Sequence, residues 1–373
     1  MLYGNCLIWI LIFVANIKGL PMRKKFLSFV LVILFALGLM NLVHAKSMNG
    51  VLKTRVYDAQ PIASTDDSVY FEIFYYNLLL GSNKSDSYLA PRIVKYDLGN
   101  KTDSEILKLK DGERVLEFIS SEDKEVILTY DAGKTVALYI SDNNKIVKMK
   151  KLFKSSIRPY TFTKDDQIYL AYEEIDKTRE IVTKLISIDT KGHINLIKEC
   201  KMSEYNQLYS GDYISVLGGS DESLFACIIT LDDGNFEGLN TTSTLYELTN
   251  KNKLETTGVK YNFLLQSITG NDNYLIVNEY NKEDPYAITL NVFDRNKKKN
   301  FKIENQINKY SIKEMFAKDD KLLVRSDKIY LYNLNNRSFD VLDTEYFTEK
   351  KILKNGNLYF FNPVNSIFEI RSM

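Results

Sequence analysis

Histidine is the scarcest of the residues that could do chemistry. Of the two in the chain, His193 lies in the turn Lys191-Gly192-His193-Ile194, with no nucleophile signature beside it. A Ser-His-Asp triad needs an imidazole held between a nucleophile and a carboxylate, so His193 reads as a solvated turn residue. One His with Cys200 and Cys227 falls short of a four-ligand zinc site unless carboxylates join in. The two thiols read as buried apolar groups on strands. No glycine-rich phosphate or dinucleotide fingerprint appears.

Carboxylates remain. They gather in four polar stretches, 77–91, 173–180, 231–243 and 279–286, which hold eleven acids against Lys84, Lys177, Arg179 and Lys282. Tyr88, Phe236, Tyr280 and Tyr286 are interleaved. Loops on a rigid scaffold carry binding groups. The residues assigned to ligand contact are Glu173, Glu174, Asp176, Asp232, Asp233, Glu237, Glu279, Tyr280 and Asp284. Within Asp232-Asp233-Gly234-Asn235-Phe236-Glu237 the four oxygen side chains offer a weak calcium cradle. Its spacing is not that of an EF-hand, and an ordinary Asx turn is the first reading of it. No other cofactor is expected and no catalytic residue is assigned. Carboxylate-only chemistry such as glycoside hydrolysis stays open, because it needs two acids and nothing else.

These stretches sit on a repeat. A short polar turn followed by an apolar strand recurs from Asp67, Asp123, Asp166, Asp221, Asp272, Asp320 and Gly356, at intervals of 56, 43, 55, 51, 48 and 36 residues. After each comes a second phrase, a strand ending in an Asp- or Asn-rich turn. Leu185-Ile186-Ser187-Ile188-Asp189 and Leu290-Asn291-Val292-Phe293-Asp294 are examples. Asp, Asn and Gly tolerate the positive φ that hairpin turns require. Each unit therefore reads as four short antiparallel strands, a to d, and 46–373 reads as one all-β propeller domain. Seven blades fit best, with six or eight as alternatives. The last unit supplies strands near Ile352, Tyr359 and Phe368, then runs out. A strand at 51–57 is expected to complete it, closing the ring and covering an open edge. A two-sheet sandwich or two separate β-domains are the competing folds.

The alternation of Asp-Asp-Lys-apolar with apolar-Tyr-apolar-Asp resembles the bacterial exported β-propellers of the YVTN, TolB and quinoprotein-like type. The resemblance covers about 50–373 and implies architecture only, since propellers host unrelated activities. Thr129-Tyr130-Asp131-Ala132-Gly133-Lys134-Thr135-Val136 is similar to the sialidase Asp-box, but occurs once, between strands b and c, and reads as a hairpin turn.

Residues 1–45 are a different material, with Lys18, Arg23, Lys24 and Lys25 and no acid. Met22-Arg23-Lys24-Lys25, the apolar run 26–42 and Val43-His44-Ala45 follow the secretory pattern, which also makes Met22 a candidate start. A signal peptide is the first reading and a retained N-terminal membrane segment the second, since 26–42 is nearly long enough to span. Either address is extracytoplasmic, secreted or cell-surface. Without this segment, 45 basic residues face 48 acidic ones, a net charge of −3. That disfavours nucleic acid as a partner. A protein, a peptide or a cell-wall polymer is the expected partner. A membrane is expected only through an uncleaved N-terminus. A non-enzymatic binding propeller is the leading function. A carboxylate-dependent carbohydrate enzyme and the sensor part of an anchored protein are the alternatives.

Overall fold

A computed structural model describes residues 47–371, apart from 53–57, 75–89, 122–123, 143–144, 176–179, 206–207, 221–222, 235–240, 280–288, 304–311, 327, 343–348, 354–355 and 363–366. The chain divides into two units, Met1–Lys46 and Ser47–Met373. The expected signal segment lies in the first, outside the described residues. Among the described residues no helix is long and apolar enough to cross a membrane.

The second unit is all β. Its strands pair antiparallel in consecutive quartets. The first is β2 (Asp58–Ser64), β3 (Ser68–Phe74), β4 (Arg92–Asp97) and β5 (Thr102–Lys108). The second is β6 (Arg114–Ser121), β7 (Lys124–Tyr130), β8 (Thr135–Asp142) and β9 (Lys145–Lys154). The third and fourth are β10 (Tyr160–Lys164), β11 (Gln167–Ile175), β12 (Ile181–Ile188), β13 (Ile194–Tyr205), then β14 (Leu208–Gly219), β15 (Leu224–Gly234), β16 (Thr241–Leu248) and β17 (Leu254–Tyr261). These two merge into one eight-stranded sheet, because β13 pairs with β14 from Met202↔Gly211 to Tyr205↔Leu208. Gly211 permits this approach, with φ +125°; a Cβ there would sit 2.3 Å from the Lys201 carbonyl oxygen. The fifth and sixth are β18 (Leu265–Gly270), β19 (Tyr274–Glu279), β20 (Leu290–Asp294), β21 (Lys299–Ile303), then β22 (Glu314–Lys318), β23 (Lys321–Arg325), β24 (Ile329–Asn333) and β25 (Phe339–Val341). The last is β26 (Glu349–Ile352), β27 (Leu358–Asn362) and β28 (Ile367–Arg371), completed by β1 (Ser47–Val51).

The strand beside β28 is therefore Ser47–Val51, not the expected 51–57; it runs in register from Ser47↔Arg371 to Val51↔Ile367. Residues 53–57 lie outside the described residues. The reason for the shift is packing. Gly50 lets the backbone pass over the Phe368 ring, and Leu52 is buried just beyond the strand.

The repeated phrases have a hydrogen-bonding cause. The anchors at Asp67, Asp166, Asp272 and Asp320 fall in the turn before the second strand of a quartet. Left-handed φ at Asp165, Asp166 and Asp319 closes such turns, which small polar side chains tolerate. Carbonyls in these turns receive the chain leaving the third strand: Leu98 N–H to Asp67 O at 2.9 Å, Arg295 N–H to Asn273 O at 2.9 Å, and Leu334 N–H to Asp320 O at 2.7 Å. The Asp or Asn ending the third strand caps the next turn. Asp97 Oδ1 accepts from Asn100 N–H at 2.7 Å, Asp294 Oδ1 from Lys297 N–H at 2.9 Å, and Asn333 Oδ1 from Asn336 N–H at 3.0 Å.

Second strands read as unbroken apolar runs because both faces are covered. Val69, Phe71 and Ile73 face the last quartet, packing with Tyr359, Phe361 and Phe368. Tyr70 and Ile93 face the second quartet, packing with Phe118, Ile127 and Tyr139. The same sharing recurs between the second and third quartets, third and fourth, fourth and fifth, fifth and sixth, and sixth and last. Polar bonds join the chain's ends as well: Tyr359 donates to the Ala59 carbonyl at 3.1 Å, and Asn357 Nδ2 to Ser64 Oγ at 3.2 Å.

Candidate functional site

The first strands of the quartets are poorer in apolar residues than the second strands. Asp58-Ala59-Gln60-Pro61-Ile62-Ala63-Ser64, Glu314-Met315-Phe316-Ala317-Lys318 and Glu349-Lys350-Lys351-Ile352 show it. They cannot bury both faces as second strands do. They surround a central cavity of about 580 Å³, to which every one of the seven contributes. That volume lies within the range of small-molecule sites.

One end of the cavity is charged. Arg114 opens β6, Arg158 precedes β10 and Lys313 precedes β22, so all three mark the starts of first strands. Lys351 joins from β26 and donates its Nζ to the Pro61 carbonyl at 3.0 Å, across to the first quartet. Glu72, Glu117 and Glu314 are the acids. Phe118, Phe162 and Phe316 lie three to four residues further along the same strands, roughly 10–13 Å deeper at the rise of a strand, and form apolar lining.

The three carboxylates are held differently. Glu314 is fully engaged: Arg325 donates Nε at 2.8 Å and an Nη at 3.1 Å, and the Ile352 N–H donates at 2.6 Å. Glu117 is buried and accepts from Phe118 N–H at 3.2 Å. Glu72, 5% exposed, accepts one bond from Val115 N–H at 3.1 Å. Burial raises its pKa above the ordinary carboxylate value; the Val115 N–H and then the charges of Arg114, Lys351 and Arg158 pull the other way and do not cancel it. Three positive groups thus act on one buried carboxyl.

Of the residues assigned from sequence, the structure describes five. Glu173 and Glu174 are not loop residues; they lie in β11, which extends to Ile175. Glu173 is buried and takes hydrogen bonds from Tyr213 OH at 2.9 Å and from Ser156 Oγ. Burial, then the Glu173 charge, pushes the Tyr213 hydroxyl's pKa strongly upward. Glu174 pairs with Lys184 at 2.6 Å. Asp232 is exposed at the end of β15, and the backbone of Asp233 belongs to the same strand. Glu279 ends β19 and accepts from Asn291 Nδ2 at 3.4 Å. Asp176, Asn235, Glu237, Tyr280 and Asp284 lie outside the described residues, and so does most of 77–91. The calcium cradle therefore has three of its four side chains outside them. Among the described residues no cluster of three or more His, Cys, Asp or Glu is placed to hold a metal.

Glu173, Asp232 and Glu279 sit at the ends of the second strands of three successive quartets. That is the end at which Arg114 pairs with Tyr130, the last residue of β7. Glu173, Asp232 and Glu279 therefore lie on the same face as the charged end of the cavity.

Other residues fall where they were expected. His193 Nδ1 is 2.8 Å from Asp189 Oδ2, and its side chain is 71% exposed. Cys200 and Cys227 are buried in β13 and β15, with burial pushing each thiol up to about 11. Asp131-Ala132-Gly133-Lys134 is a hairpin turn, in which Asp131 Oδ1 accepts from Thr135 N–H at 2.8 Å and Lys134 has φ +61°.

Among solved structures, virginiamycin B lyase from Staphylococcus aureus is similar at a TM-score of 0.51 and 13% identity, over 88% of this chain and 99% of that one. The β-propeller domain of the Trilobed protease from Pyrococcus furiosus, which has an open velcro topology, is similar at 0.52 and 10% identity, over 86% and 92%. A prolyl endopeptidase matches at 0.53 and 10% identity, over 83% of this chain but 47% of its own. At such identities the likeness shows the fold, a β-propeller of four-stranded antiparallel sheets. No protein-family model and no curated protein matches the chain.

Proposed function

We propose that the chain is an exported or cell-surface binding propeller, recognising a protein, a peptide or a wall polymer on the face that carries the acidic connections and the charged end of the cavity. One observation carries this reading: all seven first strands line a single cavity, and β6, β22, β26 and Arg158 ahead of β10 bring charged side chains to it, while the second strands are spent on core. The secretory pattern in 1–45 supports the address. Purified chain immobilised and exposed to wall polysaccharide and surface-protein fractions should retain one of them, and raised salt should weaken the retention, because exposed charges are screened beyond about 8–10 Å. Replacing Asp232, Asp233 and Glu237 by Asn, Asn and Gln should weaken it further without lowering the melting temperature. No retention from any fraction, or retention untouched by the triple variant, ends this reading.

A second reading has its own support. A carboxyl held protonated more readily than usual, in a cavity with two further acids, is what a general acid requires. On that reading the chain cleaves a carbohydrate. Release of reducing ends from a wall glycan, abolished by Glu72→Gln, would replace the binding-only reading.

A further inference from the structure

The outer rim carries its charge unevenly. First strands line the central cavity, so the fourth strands lie outermost. Two of these mix signs: β13 has two lysines and two glutamates, and β17 has Glu255 and Lys260. In contrast β9, Lys145-Ile146-Val147-Lys148-Met149-Lys150-Lys151-Leu152-Phe153-Lys154, has five lysines and no acid. All five are exposed, and none pairs with a carboxylate among the described residues. Lys148 donates its Nζ to a carbonyl, that of Lys191 at the start of the third quartet's last hairpin, at 3.4 Å. Neighbouring acids are turned away or taken. Asp103 and Glu105 of β5 stand opposite Tyr96 and Val94, which face the last quartet, so their side chains share that face. Glu199 pairs with Lys201 at 3.5 Å and Asp189 with His193 at 2.8 Å. Asp142, opposite Lys145, offsets one of the five.

Apolar side chains stand uncovered among these lysines. Val147 is 63% exposed and Leu196, on adjoining β13, 60%; Met149 and Ile194 are exposed as well. Lys148 and Lys150 lie opposite Ile140 and Leu138, on the face toward the third quartet. Ile194 and Leu196 lie opposite Ile188 and Ile186, on the face that looks back at the second. Met149 and Lys151 lie opposite Tyr139 and Ala137, on the face toward the first. Exposed groups thus occupy both faces of one outermost strand. A peptide lying along either face cannot cover them all, and a surface that meets the rim edge-on can. The strand's free edge is bulged at Val147 and at Leu152, which works against an added strand.

We propose that this rim is a peripheral membrane-binding edge: the lysines of β9 rest on the headgroups of an anionic phospholipid bilayer, and Val147 and Met149 reach between those headgroups. Each half of the surface finds its counterpart there, anionic phosphates for the lysines and the acyl boundary for the uncovered side chains. A soluble polyanion satisfies only the first half and a neutral bilayer only the second. The edge lies on the outside of the ring, so the proposal does not rest on the reading of the cavity or of the acidic connections. It is a contact with the membrane separate from any made through residues 1–45.

Lysine footprinting of the full chain tests it. The chain is reconstituted into phosphatidylcholine vesicles with or without phosphatidylglycerol, so that residues 1–45 meet a bilayer in both. Brief acetylation is then read lysine by lysine by mass spectrometry. Lys148, Lys150 and Lys151 should react about fivefold or more slowly on the anionic vesicles. Lys260, exposed on β17, should react equally on both. Raised salt should remove the difference, since these charges are exposed. Lys145→Gln with Lys154→Gln should weaken the contact about 25-fold, at about fivefold a lysine, and return the other three to their reactivity on neutral vesicles. Val147→Ser with Met149→Ser keeps every lysine and should still lose most of the protection. Soluble polyphosphate added to the neutral vesicles should protect less than the anionic bilayer does. Equal acetylation on the two kinds of vesicle, or equal protection of Lys260, overturns the proposal. Protection that polyphosphate matches, or that the two serine changes leave intact, overturns it too, because the rim then reads negative charge and not a bilayer.

Discussion

Gly50 and Phe368 are 318 positions apart in sequence and in direct contact in the fold. A Cβ on Gly50 would stand 2.5 Å from Phe368 Cζ, 2.6 Å from its Cε1 and 2.8 Å from Tyr96 Cε1. Phe368 is fully buried and cannot swing away, since Phe71 and Tyr96 rings each lie 5.1 Å from it. Gly50→Ala should therefore cost about 1–3 kcal/mol, the usual penalty of overpacking a filled core. Unfolding entropy near 2.1 cal/mol/K per residue gives about 0.7 kcal/mol/K over the propeller unit, so the melting temperature should fall by roughly 1.5–4 °C. Phe368→Leu should be destabilising alone, but combined with Gly50→Ala it makes room for the new methyl. Circular dichroism melts of the parent, both single variants and the double variant form a cycle. Its coupling term should be about 1–2 kcal/mol in the compensating direction, as for residues in contact. Additivity within about 0.3 kcal/mol would refute the pairing of β1 with β28, and with it the joining of the chain's two ends.

Glu72→Gln keeps an acceptor for the Val115 N–H and removes the charge. Because the folded carboxyl titrates above 4.5, its favourable contribution is complete below 4.5 and is lost as pH rises through the folded value. The Gln variant should then resist urea better than the parent at pH 7 and equally at pH 4; a pH-independent difference would remove the buried-charge argument. Gly218→Ala places a Cβ 1.9 Å from the Ile268 carbonyl oxygen, forcing β14 and β18 apart, so the urea midpoint should drop sharply. With thiols held near 11 by burial, Cys200 and Cys227 should react with Ellman's reagent at pH 8 only through the unfolding transition. Fast stoichiometric reaction of the native chain would contradict their burial.

The second and third strands of each quartet were legible because their boundaries are local. An Asp or Asn in the turn before β3 or β19, and another capping the turn after β4 or β20, works through residues two to four positions away. What failed was every feature decided by distant chain. Residues 51–57, rich in β-branched and aromatic side chains, outscore 47–51 by propensity. Yet Gly50 earns its place in a strand through Phe368, which no local rule can see. Glu173 reads as a loop acid until Tyr213, forty residues later, supplies its hydrogen bond. Charged residues at Arg114, Arg158, Lys313 and Lys351 read as ordinary solvated positions, because their convergence needs seven separated stretches to form one wall.

The buried carboxyls differ in what they cost the fold, and the difference locates the chemistry. Glu113 accepts from Thr129 Oγ1 at 2.5 Å and Tyr139 OH at 2.9 Å, and from the Lys110 N–H at 3.1 Å through its other oxygen. It ties the second quartet together at no charged cavity. Glu72 has the Val115 N–H and a cluster of cations that fails to compensate its desolvation. For stability alone, an apolar residue of similar volume does as well or better than a charge in such a place. A carboxyl kept there lowers the positive potential that Arg114, Lys351 and Arg158 raise. Perturbed acids gather at functional sites for this reason. Glu72 is thus a stronger marker of the proposed site than Glu174, whose charge is already paired with Lys184.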